Sequence, residues 1–202
     1  HIESMTDTAK IWLKDAEMTK SAGESLANTI YKLPLEIGLN GELGVGKTAF
    51  LQGLGKGLGV LEHITSPTFA LENRFETKRF GEFLHLDCFR LSQSEARETA
   101  SYSDDHKGIR CIEWSERIAE AFNSPKIIIS IDDNCASGRN LKADFCDIAI
   151  PSSEEVLNWR SALFLPRHIC EHCSAAADLA SDMSKLLLEK GVLLRPIALK
   201  RS

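Results

Sequence analysis

The chain has 202 residues, 43% hydrophobic and 26% charged, and its formal net charge is −5 at pH 7. This length and composition suit one α/β domain, or one domain with an appendage, that buries a proper core. The acidic balance argues against DNA or RNA binding through a basic face. No apolar run approaches the roughly 20 residues of a membrane span and no signal peptide is visible, so we expect a cytoplasmic protein without membrane contact.

The first predicted elements are a short strand and a helix. Residues 11–13 form an apolar run typical of an edge strand. Thr19 is the candidate N-cap of the helix that follows. The face of this helix that we expect to be buried carries Ala22, Leu26, Ala27 and Ile30. The apolar residues 35–39 then predict a second strand.

Residues 41–48 read Gly-Glu-Leu-Gly-Val-Gly-Lys-Thr, which is the spacing of the phosphate-binding P-loop. The motif lies between the predicted strand and a helix-like stretch over 49–58, which is the context it requires. Glycines allow positive φ, and the start of a helix presents unpaired N–H groups to an anion. Lys47 then reaches the β- and γ-phosphates, and the Thr48 hydroxyl ligates Mg²⁺. The motif therefore predicts nucleotide binding.

The middle of the chain predicts a close-packed helix and a hairpin. Four glycines crowd residues 53–59, which favours a short helix that ends at Gly59. Strands are predicted over 68–75 and 82–89, on either side of a polar turn. Residues 92–107 are polar and charged, and they suit a surface helix followed by a loop.

The later elements alternate strand and helix patterns. Residues 108–114 have a buried-strand pattern, and Ser115 resembles the N-cap of a helix through Ala121. Strands are predicted over 126–132 and 144–150, and helices over 153–165 and 175–189. The whole pattern favours the α/β class, with a mixed central sheet between flanking helices and a helical C-terminal part.

Six cysteines are present, and we expect free thiols in a reducing compartment. The first four lie in or beside strand-like runs, where a thiol behaves as a small buried hydrophobe: Cys88, Cys111, Cys135 and Cys146. Residues 168–173, His-Ile-Cys-Glu-His-Cys, carry four side chains of zinc-binding type. A structural zinc site normally takes two separated ligand pairs, and no second cluster exists, so a loop or helix edge is favoured.

Hydrolysis requires two further groups, a carboxylate for Mg²⁺ and a group that orients the attacking water. Asp87 and Glu113 both lie at or near the ends of predicted strands. Ligands in open α/β sheets lie at the carboxyl ends of strands, so both acids are candidates for the site. The sequence leaves open whether Asp87 or Glu113 orients the attacking water.

Three further side chains have two interpretations each. Thr68 is a switch threonine that senses Mg²⁺ or the γ-phosphate, or an ordinary threonine at the start of a strand after Pro67. Arg90 and Arg139 are candidates for phosphate or base contacts, or solvated surface arginines.

Four sequence blocks occur in series, at residues 41–48, 66–69, 85–91 and 112–114. Together they resemble the TsaE family of small bacterial ATPases, which serves tRNA threonylcarbamoyladenosine biosynthesis. The region around Thr19 also resembles the family's helix near the adenine, and Gly138 with Arg139 resembles its late loop. The resemblance covers about residues 10 to 150. Phe89 departs from it, because the family usually has tyrosine at this position.

The resemblance implies a P-loop NTPase three-layer sandwich that binds ATP and Mg²⁺. It implies partnership with a heterodimer of TsaB and TsaD, which transfers a threonylcarbamoyl group to adenosine 37 of tRNA, so that tRNA contact is indirect. The implied metal ligands are Thr48 and Glu113, with Asp87 beside the metal and water and Thr68 in the switch segment. The implied nucleotide contacts are Thr19, Glu42, Leu43, Gly44, Val45, Gly46, Lys47, Thr48, Ala49, Trp114 and Arg139.

We predict a P-loop ATPase domain over residues 5–151 and a helical extension over 152–202 that packs on the same domain. Residues 1–4, before Met5, resemble a remnant of cloning. The alternative functions are a small-molecule kinase, a GTPase switch and a nonhydrolysing interaction module. The guanine-binding Asn-Lys-x-Asp signature is missing, which disfavours GTP.

Overall fold

The computed structural model of this protein describes residues 7–67, 71–121, 126–133 and 137–201. The strands are β1 (Asp7–Leu13), β2 (Leu35–Asn40), β3 (Glu72–Thr77), β4 (Gly81–Asp87), β5 (Ile109–Glu113), β6 (Lys126–Asp132) and β7 (Arg139–Cys146). The α-helices are α1 (Ala16–Leu26), α2 (Lys47–Leu58), α3 (Gln93–Ser101), α4 (Ser153–Ala162), α5 (Arg167–Glu189) and α6 (Pro196–Arg201). Short 3₁₀ segments span Ala27–Thr29 and Ser115–Ala121.

The strands form one mixed sheet in the order β1-β7-β6-β2-β5-β4-β3. Strands β4, β5, β2 and β6 are mutually parallel, whereas β3, β7 and β1 pair antiparallel with their neighbours. Every residue of β5 is buried, as expected of a parallel strand covered on both faces. The carboxyl ends of the four parallel strands therefore meet at one edge of the sheet, where α/β proteins bind ligands.

Helices α1 and α2 pack closely because glycines remove side chains at their contact. A Cβ at Gly53 would overlap the backbone carbonyl oxygen of Lys20, and a Cβ at Gly23 would overlap that of Phe50. Helix α2 ends at Gly59, whose φ of 81° lies in the left-handed region, as predicted. This contact fixes the start of α2, and hence the P-loop, against α1.

The C-terminal segment is bound to the sheet by buried polar contacts. The Arg195 guanidinium donates hydrogen bonds of 2.6 and 2.8 Å to the two carboxylate oxygens of Asp147. The buried Asp7 carboxylate accepts from the backbone N–H groups of Ile197 and Ala198, both at the start of α6. Helix α4, in contrast, has no buried residue. The division of the chain at residues 151 and 152 stays a prediction.

Two predicted helix caps are wrong. Asp15 caps α1 by accepting from the Met18 N–H at 2.9 Å, and Thr19 lies one turn inside, with its hydroxyl donating to the Asp15 carbonyl at 3.0 Å. The Ser115 hydroxyl donates to Asn40 Oδ1 at 2.6 Å instead of capping the segment that it begins. In both cases the hydroxyl is the donor of its hydrogen bond, whereas an N-cap side chain accepts a hydrogen bond from a backbone N–H.

Several predicted boundaries also moved. The last strand spans Arg139–Cys146 rather than 144–150, because its residues pair in register with both β6 and β1. Strand β3 spans Glu72–Thr77, and residues 68–70 of the predicted strand lie outside the described residues. Helix α5 begins at Arg167, so residues 168–173 lie on its first turns, and α6 was not predicted. Within the described residues, no group of three or more His, Cys, Asp or Glu side chains is placed to hold a metal ion.

The cysteine prediction is only partly right. Cys88 and Cys111 are buried free thiols, whereas Cys146, at the end of β7, is exposed. Cys135 lies outside the described residues. None of the helices in the described part of the chain has both the length and the apolar character needed to span a membrane.

Candidate nucleotide-binding site

The loop between β2 and α2 has a backbone conformation that depends on glycine. Gly41, Gly44 and Gly46 have φ values of 139°, 80° and 116°, which L side chains rarely adopt. Val45 is buried and anchors the loop to the core, whereas Glu42 is exposed. Helix α2 begins directly after Gly46, so the N–H groups of its first turn have no intrahelical partner. The loop therefore offers backbone donors and a positive helix end to an anion.

Lys47 lies across the inside of this loop. Its ammonium Nζ donates to the carbonyl oxygens of Gly41 at 2.7 Å and Glu42 at 3.0 Å, and it lies 4.2 Å from the centroid of the Trp114 ring. Burial lowers the pKa of Lys47, and the nearby Glu113 and Asp87 carboxylates oppose that shift. The site thus combines a desolvated cation with two acids.

Glu113, the last residue of β5, contacts the first turn of α2. Its Oε1 accepts a hydrogen bond of 3.1 Å from the Thr48 hydroxyl and lies 3.0 Å from Nε2 of the buried His85. Asp87 ends the neighbouring strand β4 and pairs in register with Glu113. Its carboxylate accepts from the Ser66 hydroxyl at 2.7 Å and from the Phe89 N–H at 2.9 Å. The structure brings both predicted acids to the P-loop.

A pocket of about 290 Å³ lies over these groups. Its lining consists of Leu43, Gly44, Gly46, Lys47, Thr48, Ala49, Ser66, Asp87, Phe89, Glu113 and Trp114. A hydroxyl and two carboxylates are the oxygen ligands that Mg²⁺ prefers, and backbone N–H groups with one ammonium suit phosphate. The donor set of this pocket therefore fits a magnesium–nucleotide complex.

Trp114 is turned over the P-loop by an unusual backbone conformation. Its φ is 61°, a rare value for a large side chain, and its N–H donates to the Leu39 carbonyl at 2.8 Å. The indole packs against the Phe89 ring with 5.1 Å between centroids. Phe89 thus contributes a ring face to the pocket and offers no hydroxyl there.

The other predicted contacts lie around the pocket or outside the described residues. Arg139 Nη1 is 2.6 Å, and Thr19 Cγ2 is 3.5 Å, from the position that a Cβ on Gly46 would occupy, so both flank the P-loop. Arg90 is exposed and does not line the pocket. Thr68 lies outside the described residues.

Three contributing residues were not assigned a role from the sequence: His85, Ser66 and Phe89. For His85 a signal existed, because it precedes Asp87 by two positions on a strand, and such residues share a face.

Comparison with known proteins shows which family has this arrangement. The model of a family described as "Threonylcarbamoyl adenosine biosynthesis protein TsaE" matches residues 13–141. The chain belongs to the TsaE family.

The tRNA threonylcarbamoyladenosine biosynthesis protein TsaE of Nostoc sp. is 42% identical over 122 residues, which are 58% of this chain and 72% of that protein. Its counterpart in Synechocystis sp. is 36% identical over 121 residues, or 56% of this chain and 74% of that protein. The crystal structure of Bacillus subtilis YdiB has a TM-score of 0.56 at 23% identity, covering 70% of this chain and 88% of that one. The predicted P-loop NTPase fold and the recognition of the TsaE family are both confirmed.

We expect ATP affinity to fall as the pH rises through the pKa of Lys47. Burial lowers the pKa of Lys47 in the free protein, and the negative charge of a bound triphosphate raises it again. At a pH where the Lys47 amine is partly neutral in the free protein, nucleotide binding is therefore coupled to uptake of a proton by Lys47. Calorimetric titrations at alkaline pH, in buffers of different ionisation enthalpy, measure this uptake. In the control Lys47→Arg, whose guanidinium stays charged, the uptake should vanish. A pH-independent affinity up to pH values above the ordinary lysine range would contradict the prediction.

Proposed function

We propose that this protein is a Mg²⁺-dependent ATP hydrolase required for the N6-threonylcarbamoyladenosine modification of tRNA (t6A37). The observation that carries the proposal is the 3.1 Å contact between Thr48 of the P-loop and Glu113, a buried carboxylate at the end of the adjacent strand. It joins the phosphate-binding loop to an acid of metal-ligand type. Membership of the TsaE family supports the pathway.

In this proposal the amides of the P-loop and the Lys47 ammonium hold the phosphates. Thr48 and Glu113 would hold Mg²⁺, which when bound neutralises charge on the phosphate oxygens. Asp87 is our candidate for orienting the attacking water, because its hydrogen bonds come from Ser66 and Phe89 and not from the P-loop. Trp114 covers Lys47 and limits the access of solvent to this side of the pocket.

The proposal extends to partners and cellular location. The TsaE relatives carry names from tRNA modification, so we propose that this chain acts in the cytoplasm with a TsaB–TsaD type heterodimer. Contact with tRNA would then pass through that complex. The acidic net charge of −5 is consistent with this, because the chain as a whole offers no excess of positive charge to the tRNA backbone.

The kinase alternative receives less support from the site. Such enzymes need an acceptor pocket, and they usually close an arginine-rich lid over the phosphates. No arginine is among the described residues that line the pocket of about 290 Å³. The described lining of this pocket therefore adds no support to the kinase alternative.

Reconstitution with the cognate TsaB and TsaD proteins tests the proposed function. With tRNA and an activated threonylcarbamoyl donor supplied, we expect slow phosphate release by the protein alone, ATP-dependent association with the TsaB–TsaD pair, and t6A formed over several turnovers only when all three proteins are present. Phosphoryl transfer to a metabolite faster than to water would instead indicate a kinase. A preference for GTP in competition would indicate a switch, and binding without Mg²⁺-dependent turnover would indicate an interaction module.

A further inference from the structure

His85 is a buried histidine directly behind the proposed metal ligand. Its side chain has no solvent exposure, and its Nε2 lies 3.0 Å from Oε1 of Glu113, which is itself only 4% exposed. The same Oε1 accepts the hydrogen bond of the Thr48 hydroxyl at 3.1 Å. Strand β4 carries His85 and runs parallel to β5, which ends at Glu113. The three side chains therefore form one connected group across the two strands and α2.

The direction of the hydrogen bond between His85 and Glu113 follows from their chemistry. An ionised carboxylate only accepts hydrogen bonds, so Nε2 of His85 carries the hydrogen and donates it. In the neutral ring, Nδ1 is then an acceptor, and this buried atom has no partner among the described residues. Burying an unpaired polar atom costs stability. Within the part of the chain that the structure describes, the ring thus has a single hydrogen bond, and that bond is made to Glu113.

The effect of this bond is to fix the orientation of the Glu113 carboxylate. Oε1 accepts from Thr48 and from His85, whereas no described residue donates to Oε2. Glu113 lines the pocket, so Oε2 is the oxygen left for a metal ion or its water. Because the Thr48 hydroxyl gives its hydrogen to Oε1, its lone pairs are also left for a cation.

From this geometry we propose that His85 is a positioning residue that holds Glu113 in the orientation needed to bind Mg²⁺. The inference rests on the proposed function, because it takes Glu113 as a metal ligand. It goes further by assigning a role to a residue that touches neither nucleotide nor metal. Groups that hydrogen-bond a metal ligand from behind typically change metal affinity 10- to 100-fold when removed.

Three substitutions separate this role from simple core packing. His85→Gln places an amide N–H near the position of Nε2, His85→Asn reaches only the position of Nδ1, and His85→Leu removes the donor. The readout is Mg²⁺ binding to the complex with a nonhydrolysable ATP analogue, measured by calorimetry. We expect the dissociation constant for Mg²⁺ to rise roughly 10- to 100-fold in the Asn and Leu variants and to stay within about threefold in the Gln variant.

Two further measurements complete the test. Affinity for the analogue in EDTA should be unchanged in all three variants, because His85 contacts no phosphate-binding group. Nitrogen-15 NMR of the wild-type protein should show the His85 hydrogen on Nε2, and this measurement requires neither metal nor any variant that folds poorly. A hydrogen on Nδ1 would overturn the inference.

The remaining outcomes distinguish the inference from the proposed function. Two results overturn the positioning role alone. One is a wild-type Mg²⁺ affinity in His85→Leu. The other is an equal loss of Mg²⁺ affinity in the Gln and Asn variants, accompanied by a loss of affinity for the analogue in EDTA. If Mg²⁺ affinity follows the expected Gln, Asn and Leu pattern but the wild type does not hydrolyse ATP, the positioning role stands and the proposed function fails. Unchanged Mg²⁺ affinity in Glu113→Gln would overturn both.

Discussion

Lys47→Ala is expected to lower kcat/KM for Mg²⁺-ATP about 100- to 1,000-fold, the range for removal of one preorganised charge-stabilising donor. Lys47 is the only lysine or arginine among the described residues that line the pocket. Its ammonium has three N–H groups, two of which bind the carbonyls of Gly41 and Glu42. Alanine removes both the charge that attracts the phosphates and the bonds that close the loop. Steady-state phosphate release at varied ATP concentrations measures the effect.

Lys56→Ala is the matched control for this substitution. Lys56 lies on the same helix α2, but its side chain is exposed and forms an ion pair of 2.8 Å with Glu24 on α1. Exposed pairs of this kind contribute little to stability, so hydrolysis should stay within about twofold of wild type. Wild-type kcat/KM in Lys47→Ala, or an equal loss in both variants, would remove the P-loop lysine from the mechanism.

Glu113→Gln is expected to lower Mg²⁺-dependent kcat about 100-fold or more while nucleotide binding in EDTA is retained. Glutamine keeps the shape of the side chain and an oxygen that accepts from Thr48, so the β5–α2 contact at 3.1 Å survives. What is lost is the negative charge that a divalent cation requires. Hydrolysis rates across a Mg²⁺ titration, combined with nucleotide binding in EDTA, separate the loss of metal from the loss of ATP.

Glu116→Gln provides the comparison for Glu113→Gln. Glu116 is exposed, lies three residues further along, and also raises the pKa of Lys47 through its charge. Glu116 has no hydrogen bond to Thr48. The Glu116→Gln variant therefore tests whether the loss of any negative charge near the loop is enough to lower Mg²⁺-dependent kcat. We expect less than a threefold change. An equal fall of Mg²⁺-dependent kcat in Glu113→Gln and Glu116→Gln would mean that Glu113 acts through its electrostatic field and not as a ligand of Mg²⁺.

The local parts of the site were accessible from the sequence because neighbouring residues determine them. Glycines at 41, 44 and 46 adopt the positive φ values that the P-loop spacing requires, and Lys47 begins α2 directly after them. The place of Glu113 could also be predicted, because an acid that ends an apolar run lies at the carboxyl end of a strand, where α/β sheets bind ligands.

The parts that were missed depend on contacts between distant residues. The bond between His85 and Glu113 joins positions 28 apart, through a parallel register that no local pattern encodes. The limits of β7 were set by its two neighbouring strands and not by its own apolar residues. Helix α6 begins where Asp7, 190 positions earlier, accepts from its first N–H groups. The roles of the individual site residues, including Thr68, stay predictions.

The two hydrogen bonds from Lys47 to backbone carbonyls give this side chain a structural task as well as a phosphate-binding one. The ammonium donates to the carbonyls of Gly41 and Glu42 and packs against the Trp114 indole. Its third N–H group has no hydrogen-bond acceptor among the described residues. A phosphate oxygen can therefore be bound without breaking either hydrogen bond to the loop. Loss of the charge of this single amine would therefore weaken the hydrogen bonds that hold the loop and the binding of phosphate at the same time.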